Sequence, residues 1–250
     1  MKFKSTAQAK KDTGLSYIGN VNSSAKIVKN AKLNELTYII YLAPATLSGY
    51  NVCPKATKHC IAACLHESGH NRIDVSNRIN KSRIAKTKLF FEHREFFVDW
   101  VIAEIKAAYK KAQKLNMRFS VRLNGTSDIN PVLFAKDGKT MFEIFPDIQF
   151  YDYTKVFNRV KLLQKYKNYD LTFSYSGTNL GECMEALDRN MRVAVVFDKL
   201  PTTHFNKQVV DGDKTDLRYL DPTDCIVGLK FKKVRNSIDV KETPFVINVN

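Results

Sequence analysis

Short apolar runs recur along the chain, each followed by a stretch with helical or loop character. The first, "LTYIIYLAP" (36–44), is β-branched and aromatic and stops at a proline, which predicts a buried strand. A long helical region covers about 76–115. In it Phe97, Val101, Ile105, Ala108, Ala112 and Leu115 are three or four apart and share one helix face. Further strands are expected at 117–124, 147–154, 171–176, 191–198 and 225–232. Helical "KVFNRVKLLQKY" and "GTNLGECMEALDRN" separate the middle ones. "PVLFAKDGKTMFEIFP" reads as short helices around an Asp-Gly turn, and "SYIGNVNSSAKIV" as a hairpin.

Strands alternating with helices imply an α/β fold with a parallel sheet and right-handed crossovers. Six such strands suit a partial (β/α)6 barrel-like sheet; an open doubly wound sheet has the same periodicity. Residues 1–35 are polar and predict an N-terminal extension packed on the main domain. Residues 36–250 predict a single α/β domain with a cysteine loop at 51–70. In either architecture chemistry belongs at the C-terminal strand ends. Polar residues gather there: Asn124, Ser127 and Asp128; Tyr153, Thr154 and Lys155; Ser174, Ser176 and Asn179; and Asp198. Each alone is an ordinary cap or turn residue. Asp128, Lys155 and Asp198 together are the candidates for catalysis.

Composition narrows the class. The 40 Lys and Arg against 25 Asp and Glu give a net charge of +15. Such a charge attracts anionic substrates or nucleic acid. Arg78, Lys81, Arg83 and Lys86 form the densest basic stretch. No apolar run reaches membrane-span length, and "MKFKSTAQAKKDTG" lacks the apolar core of a signal peptide, so a soluble intracellular protein is expected. There is no P-loop, no Gly-x-Ser-x-Gly and no dinucleotide-binding glycine pattern.

Intracellular cysteines seldom form disulfides, so a cluster of them points to metal or redox chemistry. "NVCPKATKHCIAACLHESGH" holds Cys53, Cys60 and Cys64, three of the chain's five cysteines. Cys60 and Cys64 share a face if "CIAACLHE" forms a helical turn, and the loop at Pro54 lets Cys53 fold back to them. One reading is three inert buried thiols. A second is structural zinc with His59, His66 or His70 as fourth ligand. The reading preferred here is a 4Fe-4S iron–sulfur cluster held by three thiolates, with one iron open to an external ligand. Cys183 and Cys225 read as packing residues. "VVDGDKTDLRYLDP" offers Asp211 and Asp213, which face the same way in an extended chain and suit a cation or a polyhydroxyl ligand. The competing reading is an Asp-Gly turn with an ion pair to Arg218.

"SYIGNVNSSAKI", "NVCPKATKHCIAACL", "VRLNGTSDI", "FYDYTK" and "VVDGDKTDLRYLDP…IVGLKFK" follow one another in an order that resembles a family of bacteriophage proteins. That family is named after gene product 88 of a mycobacteriophage. The resemblance spans nearly the whole chain and implies a phage protein acting in the cytoplasm of the bacterial host. A more distant, architectural likeness is to radical S-adenosylmethionine enzymes, which place three cysteines after the first strand of a partial barrel. It implies S-adenosylmethionine as a candidate ligand of the open iron. The spacing C-x6-C-x3-C departs from their common C-x3-C-x2-C, and "LNGTSD" stands where they carry Gly-Gly-Glu.

The expectation is therefore an iron–sulfur protein performing redox or radical chemistry on a small polar or anionic substrate. Cys53, Cys60 and Cys64 would bind the metal. Asn124, Ser127, Tyr153, Thr154, Ser176, Asp211 and Asp213 would contact substrate. The alternative is a non-enzymatic protein, stabilised by zinc or an iron–sulfur centre, that binds nucleic acid or a host protein.

Overall fold

The computed structural model describes residues 1–21, 25–64, 76–232 and 243–249. The strands are β1 (Gly19–Val21), β2 (Glu35–Ile40), β3 (Arg118–Arg122), β4 (Ala135–Lys136), β5 (Lys139–Thr140), β6 (Gln149–Thr154), β7 (Tyr169–Ser174), β8 (Val193–Phe197), β9 (Thr203–His204), β10 (Lys207–Asp211), β11 (Ile226–Lys230) and β12 (Val246–Ile247). The helices are α1 (Thr6–Thr13), α2 (Ala25–Asn30), α3 (Lys58–Ala62), α4 (Arg78–Glu92), α5 (Arg94–Lys114), α6 (Met141–Ile144), α7 (Lys161–Lys165) and α8 (Leu180–Asp188).

One large sheet runs in the order β1-β2-β3-β6-β7-β8-β11-β10-β9, with β12 attached to β8. From β2 to β10 every neighbouring pair is parallel; β1 and β9 add antiparallel edges. The expected α/β class and parallel sheet are present. β1 and β9 lie at opposite ends of the pairing order, and among the described residues nothing pairs them into a closed barrel.

The order β2-β3-β6-β7-β8 advances in one direction, so right-handed crossovers bring the intervening helices to one face. Tyr38, Phe119, Phe150 and Phe173 lie on that face. Phe119 meets Tyr109 of α5 at 5.6 Å between ring centroids, and Phe150 meets Phe142 of α6 at 5.1 Å. Alternation sends Arg122, Tyr151, Tyr153, Ser174, Ala194, Val196 and Leu229 to the other face, as the strand registers confirm. That second face is polar near β3 and β6. Arg122 donates to both carboxylate oxygens of Asp216 at 3.0 and 2.8 Å, and Tyr151 donates to Asp216 at 3.3 Å. Its guanidinium also stacks 4.7 Å over the Tyr153 ring. The segment 212–221 is thereby fastened across this face.

Several local expectations change. The 76–115 helix is two helices broken at His93 (φ −139°, ψ 54°), and Phe90 packs edge-on to Phe97 across the break. Short helices do flank Asp137-Gly138, a 3-10 turn at Pro131–Leu133 and α6, and a small hairpin, β4–β5, lies between them. Both turn residues have positive φ (49° and 77°), which Asp and Gly tolerate. The N-terminal hairpin is replaced: β1 pairs with β2, and residues 25–30 are helical, while 22–24 lie outside the described residues. The reason is Glu104 on α5. Its carboxylate accepts the Ile18 and Gly19 backbone N–H groups at 3.0 and 2.9 Å and the Tyr38 hydroxyl at 2.7 Å, pinning β1 to the sheet edge.

Beside this clasp lies Lys86, only 4% exposed, its ammonium 4.0 Å above the Tyr17 ring. Burial pushes its pKa down to about 8, although Glu104 pulls the other way. Between about pH 8 and pH 10 the unfolded chain holds this proton and the folded chain releases it, so Lys86 makes stability rise with pH. Below that window both forms are protonated and the burial cost is fully felt. Urea unfolding at pH 8 and pH 10 should show the intact protein gaining up to about 1.4 kcal/mol per pH unit relative to Lys86→Met. Equal slopes for the two proteins would remove Lys86 as the cause.

Candidate functional site

The chain leaves β2 through Leu42 to Ala45 and enters the cysteine loop. Cys53 Sγ accepts the Ala45 N–H at 3.4 Å, and Asn51 caps the Cys53 N–H at 3.0 Å. Thr57 N-caps α3 by accepting the Cys60 N–H at 3.1 Å and donates its hydroxyl to Ser176 O at 2.9 Å. That second bond ties the cysteine helix to the loop after β7. Asp128 N–H donates to Val52 O at 2.8 Å, tying the same loop to the end of β3. Local capping and two cross-loop bonds thus place all three cysteines above the C-terminal strand ends.

There they open onto one cleft of about 210 Å³. Cys53, Cys60 and Cys64 line it, half-buried and free of disulfides. Arg122, Tyr153, Ser174, Ala194, Val196 and Leu229 form its floor, all from the face of the sheet opposite Phe119 and Phe150. Lys155 rises beside the sulfurs. Burial opposes its charge, but Cys60, Asp128, Cys53 and Cys64 outweigh burial and raise its pKa. The Cys53 thiol is pushed up to about 11, mainly by burial; the Ala45 N–H and Lys155 oppose this, and Cys64 and Asp128 reinforce it.

Among the described residues no three His, Cys, Asp or Glu side chains are grouped tightly enough to hold a single metal ion. His59 is described and half-buried; His66 and His70, with Arg72 and Asp74, lie outside the described residues. Cys183 and Cys225 are buried away from the cleft, their thiols pushed up to about 12 and about 11 chiefly by burial.

Of the expected substrate-site residues, Asn124, Ser127, Asp128, Tyr153, Thr154, Lys155 and Asp213 line the cleft. Several of them also have partners within the fold. Asp128 is not a free base. It accepts from the Thr154 hydroxyl (2.8 Å) and the Lys155 N–H (2.9 Å) and is paired with Arg159. Ser127 donates to Asn124 Oδ1 at 2.8 Å, bracing the loop from within. Three residues fall outside the lining. Ser176 contributes backbone bonds to Thr57 and Asn179. Asp198 fastens the tail: it accepts the Val249 N–H at 2.9 Å, and its own N–H donates to Ile247 O at 3.1 Å. Asp211 closes a turn by accepting the Asp213 N–H at 2.9 Å. Asp213 itself pairs with Lys232 at 2.7 Å, and it is Asp221 that pairs with Arg218, at 3.0 Å. The acidic pair therefore works as a turn and a clamp.

The cleft also contains residues the sequence reading passed over. Arg122 carries a charge inside a buried strand, opposite Phe119 and Val121, and that pattern was the available signal. Gly125 leaves no room for a side chain, since a Cβ there would stand 2.6 Å from Ile40 O. Lys230, Phe231 and Phe245 had no local signal. The basic stretch in α4 is not a continuous surface: Lys86 is buried and Arg83 stacks on Tyr41 at 5.4 Å.

A family model described as Gene product 88 matches residues 4–243. The chain belongs to the Gene product 88 family of phage proteins. The matched span takes in the three cysteines, every strand from β1 to β11 and the 212–221 clamp; Phe245 and β12 follow it. No curated protein and no solved structure matches the chain. No helix among the described residues is long and apolar enough to cross a membrane.

Proposed function

We propose that this Gene product 88 protein carries a 4Fe-4S cluster on Cys53, Cys60 and Cys64, and that one iron faces the cleft. The observation that carries this reading is three cysteines from one loop lining a single cavity, with the Lys155 ammonium beside them. Soft thiolates are the donor type that iron–sulfur clusters take. A mononuclear zinc site needs its ligands gathered around one ion. A cluster spreads three thiolates over three irons and needs no such gathering. Zinc, completed by a histidine, is the alternative.

The bound group would supply redox or radical chemistry at its open iron, with S-adenosylmethionine as a candidate ligand. The chain's own contribution is electrostatic and steric. Lys155 balances the negative charge of the thiolates, and Arg159 pairs with Asp128 and orients it, so that the loop carrying Lys155 stays fixed. Cys53 must give up its proton on metal binding, so loading weakens as pH falls. The cleft-bearing face of a partial barrel would form the substrate chamber, for a small polar or anionic molecule. The reducing cytoplasm of the bacterial host suits such a centre.

Anaerobic purification should yield a brown protein with iron and sulfide in near-equal amounts and a paramagnetic resonance signal on reduction. A colourless protein with one zinc per chain would overturn the cluster in favour of the alternative.

A further inference from the structure

At the opposite edge of the sheet, where β2, β3 and β6 begin, lies a second cavity of about 510 Å³. It shares no residue with the cysteine cleft. Tyr109, Phe119 and Tyr219 give it flat aromatic walls, and Gln113, Asn116 and Gln149 give it amides. Glu35 stands in it only 1% exposed. Arg118 Nε is 3.1 Å away and the Tyr219 hydroxyl is beside it, yet among the described residues neither carboxylate oxygen has a partner in good hydrogen-bond geometry. Burial first, and then Glu35, hold that tyrosine hydroxyl in its protonated form. A buried carboxylate left this way has unused acceptor capacity. The Arg118 side chain is 56% exposed and reaches outward.

Asp147 adds one exposed carboxylate to the lining, and a row of cations stands beside the cavity on α5. Lys106 and Lys110 precede the lining residues Tyr109 and Gln113 by three, the spacing at which helix side chains are neighbours. Lys114 continues the ridge, which spans about 12 Å from Lys106. All three are exposed and have no ion pair among the described residues. Between Glu104 and Asp128 the chain has no acidic residue to offset them.

We infer that this edge binds single-stranded nucleic acid, with phosphates along Lys106, Lys110 and Lys114 and one unstacked base in the cavity. Aromatic walls stack any base face. Glu35 accepts from a base that presents an amino group, as carboxylates do with cytosine. A duplex keeps its bases stacked and cannot offer one to the cavity. The inference is independent of the cysteine cleft and stands or falls without it.

Fluorescence anisotropy on the full chain as purified tests it, using labelled 12-nucleotide oligo(dC), oligo(dT) and a duplex of the same length at several salt concentrations. Oligo(dC) should bind more tightly than oligo(dT) and than the duplex. Lys106→Glu/Lys110→Glu/Lys114→Glu, on an exposed helix face, should weaken oligo(dC) at least about tenfold and flatten the salt slope by about 2. Tyr109→Ala should weaken it about tenfold with the salt slope unchanged. Unchanged affinity in either variant, or a duplex bound as tightly as oligo(dC), would overturn the inference and leave only a solvated basic face.

Discussion

If the proposed cluster is present, Cys60→Ser protein purified without oxygen is expected to lose the iron–sulfur absorption of the intact chain and nearly all of its bound iron. Cys53→Ser and Cys64→Ser behave the same way. Removing a neighbour of a metal ligand already costs about 10–100-fold in affinity, and removing a ligand itself costs more. The helix carrying Cys60 is capped by Thr57 and not by the sulfur, so the variant should retain its fold. Circular dichroism on the same samples separates lost metal from lost structure. Cys183→Ala and Cys225→Ala supply the contrast. Both cysteines are buried and outside the cleft, so these variants lose stability and keep iron. Iron retained in all three loop variants, or lost equally in all five, would remove the assignment.

Arg122→Leu lowers folding stability by about 3–5 kcal/mol, because it strands the buried Asp216 carboxylate without its cation. Asp216 is 3% exposed, and its remaining contacts include the Tyr151 hydroxyl at 3.3 Å and, through its own N–H, Asn30 Oδ1 at 3.1 Å. The double variant Arg122→Leu/Asp216→Leu should recover much of the loss, since an apolar pair of similar volume removes both desolvation costs. Urea unfolding of the three proteins reads this directly. A loss below about 1 kcal/mol in the single variant would mean the pair is solvated, as surface ion pairs are. The same substitution opens the cleft floor, because Arg122 lies across Tyr153.

Local chemistry made much of this legible in advance. β2, β3, β6, β7, β8 and β11 stand where apolar runs predicted strands, because a strand buried on both sides must be apolar along its length. The shared face of Tyr151 and Tyr153 followed from alternation. The convergence of Cys53, Cys60 and Cys64 followed from their spacing, since a capped turn and a proline loop leave few other places for them. Spacing alone did not reveal the partners of single acids. Asp128, Asp198 and Asp211 sit where strands end, as catalytic acids do, but so do the residues that tie loops together.

The linear pattern of residues thus specified the class of fold, and it drew attention to the strand ends and to three thiols that line one cleft there. These depend on periodicity and short spacing, which short-range geometry preserves. Three-dimensional packing settled the rest. It paired Arg122 with Asp216 across 94 residues and set Glu104 against backbone groups 85 and 86 residues away. It buried Lys86, and it set the buried Glu35 beside Arg118 at the opposite strand ends. Such partners are chosen by which charges burial leaves in need of one, and burial is a property of the folded whole.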